Sequence, residues 1–205
     1  QIFQIFSKSM DEDRIMTGKH EKPDFAKHLV NLASQRLGTM VLEVSDDFFA
    51  EAKRMLQDSE PVFLPDEYDD HGKWMDGWES RRRRKPGHDS TVIQLGARGV
   101  IRGVEIDTRH FTGNYPPQAS LQGVDPHSGF NNSSEKWEEL IPVSDLGPDQ
   151  QHYFPINNNR AFSHLRLNIF PDGGIARLRV YGEPLPRWSE IDGSQMLELS
   201  SIALG

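Results

Sequence analysis

The sequence predicts an all-β fold, an antiparallel sandwich of two packed sheets with short helices at its N-terminal front. Two observations carry this. From Asp89 onward the chain falls into short runs rich in β-branched and aromatic residues, punctuated by glycine and proline at intervals of about 8 to 12 residues, the rhythm of sandwich and barrel strands. Over 24–38 and 45–56, apolar residues instead recur at steps of three and four, the helical period.

Residues 1–23 read as an N-terminal tail: QIFQIFSKSM has an apolar flavour but lacks the basic front and small-residue cleavage site of a signal peptide. From Asp24, which can cap, Phe25, Leu29, Leu32, Ala33 and Leu37 follow helical steps up to Gly38, and Asn31 and Ser34 favour local bonds that break the segment into a helix and a turn. A strand is expected over 40–44. A second short helix, capped by Ser45 or Asp46, carries Phe48, Phe49, Ala52, Met55 and Leu56 until Pro61 and Pro65 end it. Residues 72–89, GKWMDGWESRRRRKPGHD, obey neither period and read as a long ordered loop, with Trp74 and Trp78 as anchors and Arg83 and Arg84 facing solvent or a neighbour.

Beyond it, 91–95 reads as a strand, 96–99 as a turn and 100–107 as the second strand of an antiparallel pair. Further strands are expected over 119–123, 137–143, 151–156, 163–170 and 174–183. Leu165, Leu167 and Ile169, then Ile175, Leu178 and Val180, mark the buried face of the last two, and the intervening Pro-Asp-Gly-Gly reads as a hairpin turn. Residues 24–186 are thus expected to form one sandwich domain. Residues 187–205 read as a linker and the truncated start of a second repeat, since ELSSIALG at 198–205 matches NLASQRLG at 31–38 in four of eight positions.

The net charge of −8 repels nucleic acid and anionic membranes, no run is long and apolar enough for a membrane span, and the absence of cysteine excludes disulfide scaffolds and thiolate chemistry. No glycine-rich dinucleotide or phosphate-loop motif and no G-x-S-x-G is present, so neither a nucleotide cofactor nor a serine triad is expected. His71, His88, Asp89, Asp107 and His110 are ligand types for a divalent metal, but no two histidines have metal-motif spacing, and the metal requirement stays open. Four polar segments are candidates for a site: 71–89, 107–117, 157–164, and Arg166 with Asn168. Together they offer arginines for an anion, amides for urea-like groups and histidine beside carboxylate for proton transfer, which suits a small anionic substrate.

The segments DDFFAEAKRML (46–56), GKWMDGWESRRRR (72–84), GHD (87–89), GVIRGVEIDTRHFTGNYPPQASLQG (99–123) and HLRLNIFPDGGIARLRVYG (164–182) resemble the allantoicase family. The resemblance implies jelly-roll domains like those of galactose-binding modules, in two similar repeats. It also implies a hydrolase of purine (ureide) degradation converting allantoate and water to ureidoglycolate and urea. On that footing Asp107, His110, His88, Asp76 and Glu79 are the candidates for handling protons or water. Arg81, Arg82 or Arg166 would hold the carboxylate, Asn114 and Asn168 the ureido groups, and Trp78 completes the binding set. A homo-oligomer inside the cell, cytoplasmic or peroxisomal, is expected. The competing reading is a non-catalytic binding module for a small ligand or carbohydrate, or an inactive half of a two-domain enzyme.

Overall fold

A computed structural model describes residues 16–17, 21–126 and 129–187. The N-terminal part holds β1 (Met16–Thr17), α1 (Asp24–His28), β2 (Val30–Asn31), a 3-10 turn (Gln35–Leu37), β3 (Met40–Val44) and a second 3-10 turn (Ala52–Leu56). Then come β4 (Tyr68–Asp69), β5 (Gly72–Lys73), β6 (Trp78–Glu79), β7 (Asp89–Asp107), β8 (Gln118–Val124), β9 (Glu138–Asp145), β10 (Gln151–Pro155), β11 (Ala161–Phe170), β12 (Gly174–Ile175) and β13 (Arg177–Pro184). No helix among the described residues is long and apolar enough to cross a membrane.

The two layers share one strand. The first half of β7 pairs with β3 and β11, and β8 and β9 extend that layer; the second half pairs with β13 and β10, flanked by β2 and β1. Residues 91–107 are therefore one continuous strand crossing between layers, where the sequence predicted an antiparallel pair. The glycines taken for a turn serve close approach: a Cβ at Gly96 would lie 2.6 Å from the Leu37 backbone carbonyl, and the Gly96 N–H donates to the Leu32 carbonyl at 3.1 Å. The expected hairpin at 171–174 is also corrected. Gly173 does take a positive φ of 140°, but β11 and β13 do not pair with each other; the turn carries the chain from one layer to the other.

The inward residues are those the alternation marked. Leu165, Leu167, Ile169, Ile175, Leu178 and Val180 are all buried in one core with Trp78, Ile93 and Leu121. The front is less helical than expected. Asn31 accepts from the N–H groups of Ala33 and Val180, and Ser34 accepts from that of Arg36, so α1 stops after five residues and Gly38 closes the next turn at φ 89°. Asp24 is the first helical residue and caps nothing; Pro23 holds the N-cap. Asp46 accepts the N–H groups of Phe48 and Arg81 in a local turn, and the second helical segment begins only at Ala52.

On the outer face of the second layer the same alternation presents Glu105, Asp107, Arg177, Arg179 and Tyr181, all buried under Ser59, Glu60 and Phe25. Charge pairing makes that burial tolerable. Arg177 is wholly buried and donates to Asp76 at 2.7 Å and to the Ser59 carbonyl at 2.8 Å. Arg179 bridges Glu105 at 3.0 Å and Glu60 at 3.3 Å, Arg109 joins Asp107 at 2.6 Å and Glu60, and the Tyr181 hydroxyl donates to Glu105. Burial raises the Asp107 pKa against the opposing effect of the Arg109 hydrogen bonds.

Two stability outcomes follow. Gly96→Ala should cost about 1–3 kcal/mol in denaturant unfolding, because the opposing group is backbone and has no rotamer to yield. Asp76→Asn should cost about 3–5 kcal/mol by stranding the Arg177 charge, and Asp76→Asn with Arg177→Met should recover much of the loss.

Candidate active site

Strand β6 is a two-residue lever. It pairs with β12, Trp78 opposite Ile175 and Glu79 opposite Gly174, so the two side chains point to opposite faces. Trp78 enters the core, fully buried, with its indole N–H donating to the Asp46 carbonyl at 2.9 Å. Glu79 is turned the other way, into a cavity of about 430 Å³ lined also by Phe49, Phe63, His71, Lys73, His110, Asn114 and Asp149.

His110 reaches this cavity because of what surrounds it in the chain. Strand β7 ends at Asp107, the Thr108 hydroxyl donates to the Gly147 carbonyl at 2.7 Å, and Phe111 is wholly buried, so the chain turns in between and His110 adopts φ 72°. A non-glycine residue there carries backbone strain of about 1–3 kcal/mol. The surrounding bonds hold it: its N–H donates to Asp149 Oδ1 at 2.9 Å, and its ring stacks on Phe63 with centroids 5.9 Å apart. Its Nε2 lies 3.2 Å from the Pro61 carbonyl, which only accepts. That partner assigns the proton to Nε2 and leaves Nδ1 as the basic atom of the neutral ring.

Across the cavity, Asn114 donates from its amide nitrogen to Glu79 Oε1 at 2.7 Å. Burial pushes the Glu79 carboxyl above its ordinary range, with the Asn114 hydrogen bond working against that and the charge of Asp69 adding to it. The β4–β5 hairpin supplies His71 and Lys73, and the Lys73 ammonium lies 4.4 Å from the Phe63 ring centroid. The cavity therefore combines a carboxyl biased towards its protonated form, an imidazole with a directed basic nitrogen, an amide and a cation.

Of the residues named from sequence, the structure brings Glu79, His110 and Asn114 together. Asp107 and Asp76 lie next door in the buried charge network, each engaged by an arginine. Trp78 presents no free surface and anchors the strand. Arg81 is drawn onto Asp46 at 2.6 Å and lies over the Phe48 ring, Arg82 is exposed, and exposed His88 packs against Phe170. Arg166 and Asn168 lie on the outer face of the first layer, where Arg166 stacks on Trp137 at 4.3 Å and Asn168 donates to Ser120 at 3.1 Å. The 157–164 segment bonds elsewhere too, Asn158 to Glu138 and Asn159 to Arg102. Two of the four polar segments meet. Among the described residues, no three histidine, aspartate or glutamate side chains are grouped as a metal ion would require.

Lys73, Asp149 and Phe63 were not singled out from sequence. Lys73 sat inside the recognised stretch beside more conspicuous tryptophans and arginines. Asp149 reaches His110 only through the register of β10 on β7, which has no local signature.

Comparison with known proteins converges on one family. The model of the allantoicase repeat matches residues 30–185. A probable allantoicase of Burkholderia mallei is 49% identical over 183 residues, covering 89% of this chain and 54% of the relative; one from Pseudomonas aeruginosa is 52% identical over 179 residues, covering 87% and 54%. The chain thus spans about half the length of the curated relatives it matches. The crystal structure of allantoicase from Saccharomyces cerevisiae superposes with a TM-score of 0.67 at 33% identity, over 80% of this chain and 51% of that one. A CBM32 module from a family 31 glycoside hydrolase of Clostridium perfringens has a TM-score of 0.51 at 11% identity, over 80% of this chain and all of that one, a likeness of fold alone. With its sandwich fold and a repeat matched over most of its length, this chain belongs to the allantoicase family.

Proposed function

We propose that this repeat contributes the reaction centre of an enzyme of purine catabolism that hydrolyses allantoate to ureidoglycolate and urea. The observation that carries the reading is the half-buried Glu79 carboxyl sharing a cavity with His110 and Asn114 in a chain of this family. Allantoate bears a carboxylate and two ureido groups on one carbon. Releasing urea breaks one carbon–nitrogen bond at that carbon, forms a carbon–oxygen bond from water, places a proton on the departing nitrogen and removes one from the water.

Each step has a candidate group. Protonated Glu79 donates to the departing nitrogen, and its burial keeps that proton available at higher pH than for an exposed glutamate. His110 Nδ1 takes the proton from water, with Nε2–H fixed by the Pro61 carbonyl. Asn114 engages a ureido group, and the Lys73 ammonium faces the substrate carboxylate. Lys73 takes the carboxylate role assigned from sequence to arginine, since Arg81 is held by Asp46 and Arg166 lies on another face.

Urea release from allantoate, measured for this chain and for a full-length form side by side, tests the reading. Glu79→Gln should lower kcat by about 10²–10⁴-fold, as should His110→Asn, while Asn114→Ala acts mainly on KM. Undiminished kcat in folded Glu79→Gln would refute the assignment, and binding without turnover by the full-length form would favour a binding module. Stability adds an independent sign. A carboxyl whose folded pKa is raised binds its proton more tightly in the folded state, so its contribution falls as pH rises from 4.5 through the folded value. At neutral pH, Glu79→Gln should therefore unfold at the same or a higher temperature than the parent while losing activity, a combination that a purely structural role for Glu79 would not give.

A further inference from the structure

The neighbour that holds the His110 backbone is itself strained. The His110 N–H donates to Asp149 Oδ1 at 2.9 Å, and Asp149 adopts φ 51°; among the described residues these two are the non-glycine positions with positive φ. Backbone in that region persists where its surroundings over-determine it. For Asp149 the surroundings are the turn from Leu146 to Gln150, between β9 and β10. The Leu146 N–H donates to the Pro117 carbonyl at 2.8 Å, and the Thr108 hydroxyl donates to the Gly147 carbonyl. The Thr108 N–H donates to the Gln150 carbonyl at 2.9 Å, and the Asp149 N–H to the Phe111 carbonyl at 3.3 Å.

The remaining anchor is a side chain that does not line the cavity. His152, in β10, is wholly buried, and both its ring nitrogens meet backbone. Nε2 receives the Gly147 N–H at 2.8 Å, and Nδ1 lies 3.0 Å from the carbonyl of Ile106, one residue before the end of β7. With an N–H on one side and a carbonyl on the other, Nδ1 carries the proton, Nε2 offers its lone pair, and the ring is neutral. A single imidazole thus ties the end of β7, where the His110 turn starts, to the turn that supplies Asp149.

A second proton would break the tie, because Nε2–H would face the Gly147 N–H donor to donor. It would also place a charge that nothing offsets. Glu105 and Asp107 of β7, with the arginines that pair them, and Tyr153 of β10 belong to the opposite face of the layer by strand alternation. Asp145 of β9 is exposed and accepts from Gln118, Asp149 is exposed and accepts from the His110 N–H, and neither residue of β1, Met16–Thr17, is ionisable. Burial holds the His152 pKa below its ordinary value, with the Ile106 carbonyl working against that.

We infer that His152 is a positioning residue for the reaction assigned to the cavity: its neutral ring fastens the 146–150 turn to β7 and so holds His110 in line with the cavity, and its protonated ring releases both. This role rests on that reaction for its effect on turnover, whereas the fastening is a property of the fold alone.

Two substitutions of similar size separate the hydrogen bond from the packing. Glutamine places an acceptor oxygen near the position of Nε2, and methionine has the same length with no such acceptor. In urea release by the full-length form, His152→Met should lower kcat by about 10- to 100-fold with KM little changed, and His152→Gln should recover most of that loss. A side chain that only fills the core would give the reverse order, since methionine is the better apolar filler. Independently of turnover, nitrogen NMR of this chain at neutral pH should show His152 Nε2 as an unprotonated, accepting nitrogen. On acidification the Gly147 and His110 amide resonances should shift together at the His152 midpoint, and that shared step should vanish in His152→Gln. A proton on Nε2 at neutral pH, a His110 amide indifferent to the His152 titration, or His152→Met turning over as fast as His152→Gln would overturn this role. If neither variant folds, the titration of the parent chain decides by the first two results. Absence of urea release from the full-length parent would refute the reaction assigned to the cavity, and the shared amide step would then decide by itself whether His152 positions His110.

Discussion

The pairing of β7 with strands of both layers is the constraint on which the rest of the molecule depends. Nineteen residues of straight strand would run about 60 Å, well beyond the strands of an ordinary sandwich. Here the strand crosses from one layer to the other near Gly96, held by β11 and β3 on one side and by β13 and β10 on the other. Its ends fix polar structure at both limits. Asp89, at the start, pins Arg83; Asp107, at the finish, hands the chain to the turn that strains His110 and aims it into the cavity.

Electrostatics complete the arrangement. The outer face of the second layer carries glutamate, aspartate and arginine in register across β7 and β13, Asp107 opposite Arg177 and Glu105 opposite Arg179. Under the covering residues 59–60 these charges would be untenable singly, and as an alternating, hydrogen-bonded set they brace the segment that also supplies the Pro61 carbonyl to His110. Asp76 belongs to the same brace. Its carboxylate accepts from both Arg177 and the Val62 N–H, which positions the chain leading to Phe63 beside the cavity.

Strand positions and the buried face were legible in the sequence because they are local, period-two properties: Leu165, Leu167, Ile169, Leu178 and Val180 announced themselves. Partner choice was not. The Pro-Asp-Gly-Gly turn looks the same whether it closes a hairpin or passes the chain between layers, and Gly96 looks the same whether it turns the chain or admits the Leu37 backbone. In the site, Glu79, His110 and Asn114 were legible as chemistry. Their meeting was not, since it depends on Glu79 standing opposite Gly174, 95 positions along the chain. Arg166 and Asn168 share a face by simple alternation, but only the fold reveals that it is a different face from the cavity. Arg83 was hidden by its neighbours: in a run of four arginines, nothing local distinguishes the one that finds a buried aspartate.

In the proposed reaction Glu79 is a proton donor tuned by burial and in contact with substrate. Titrating its carboxyl carbon by NMR, in a Glu79-labelled chain without ligand and with saturating allantoate in a His110→Asn background, is the decisive measurement. The midpoint should lie above that of an ordinary glutamate in the free protein and move further when allantoate is bound. A midpoint at or below the ordinary value, indifferent to allantoate, would rule out Glu79 as that donor.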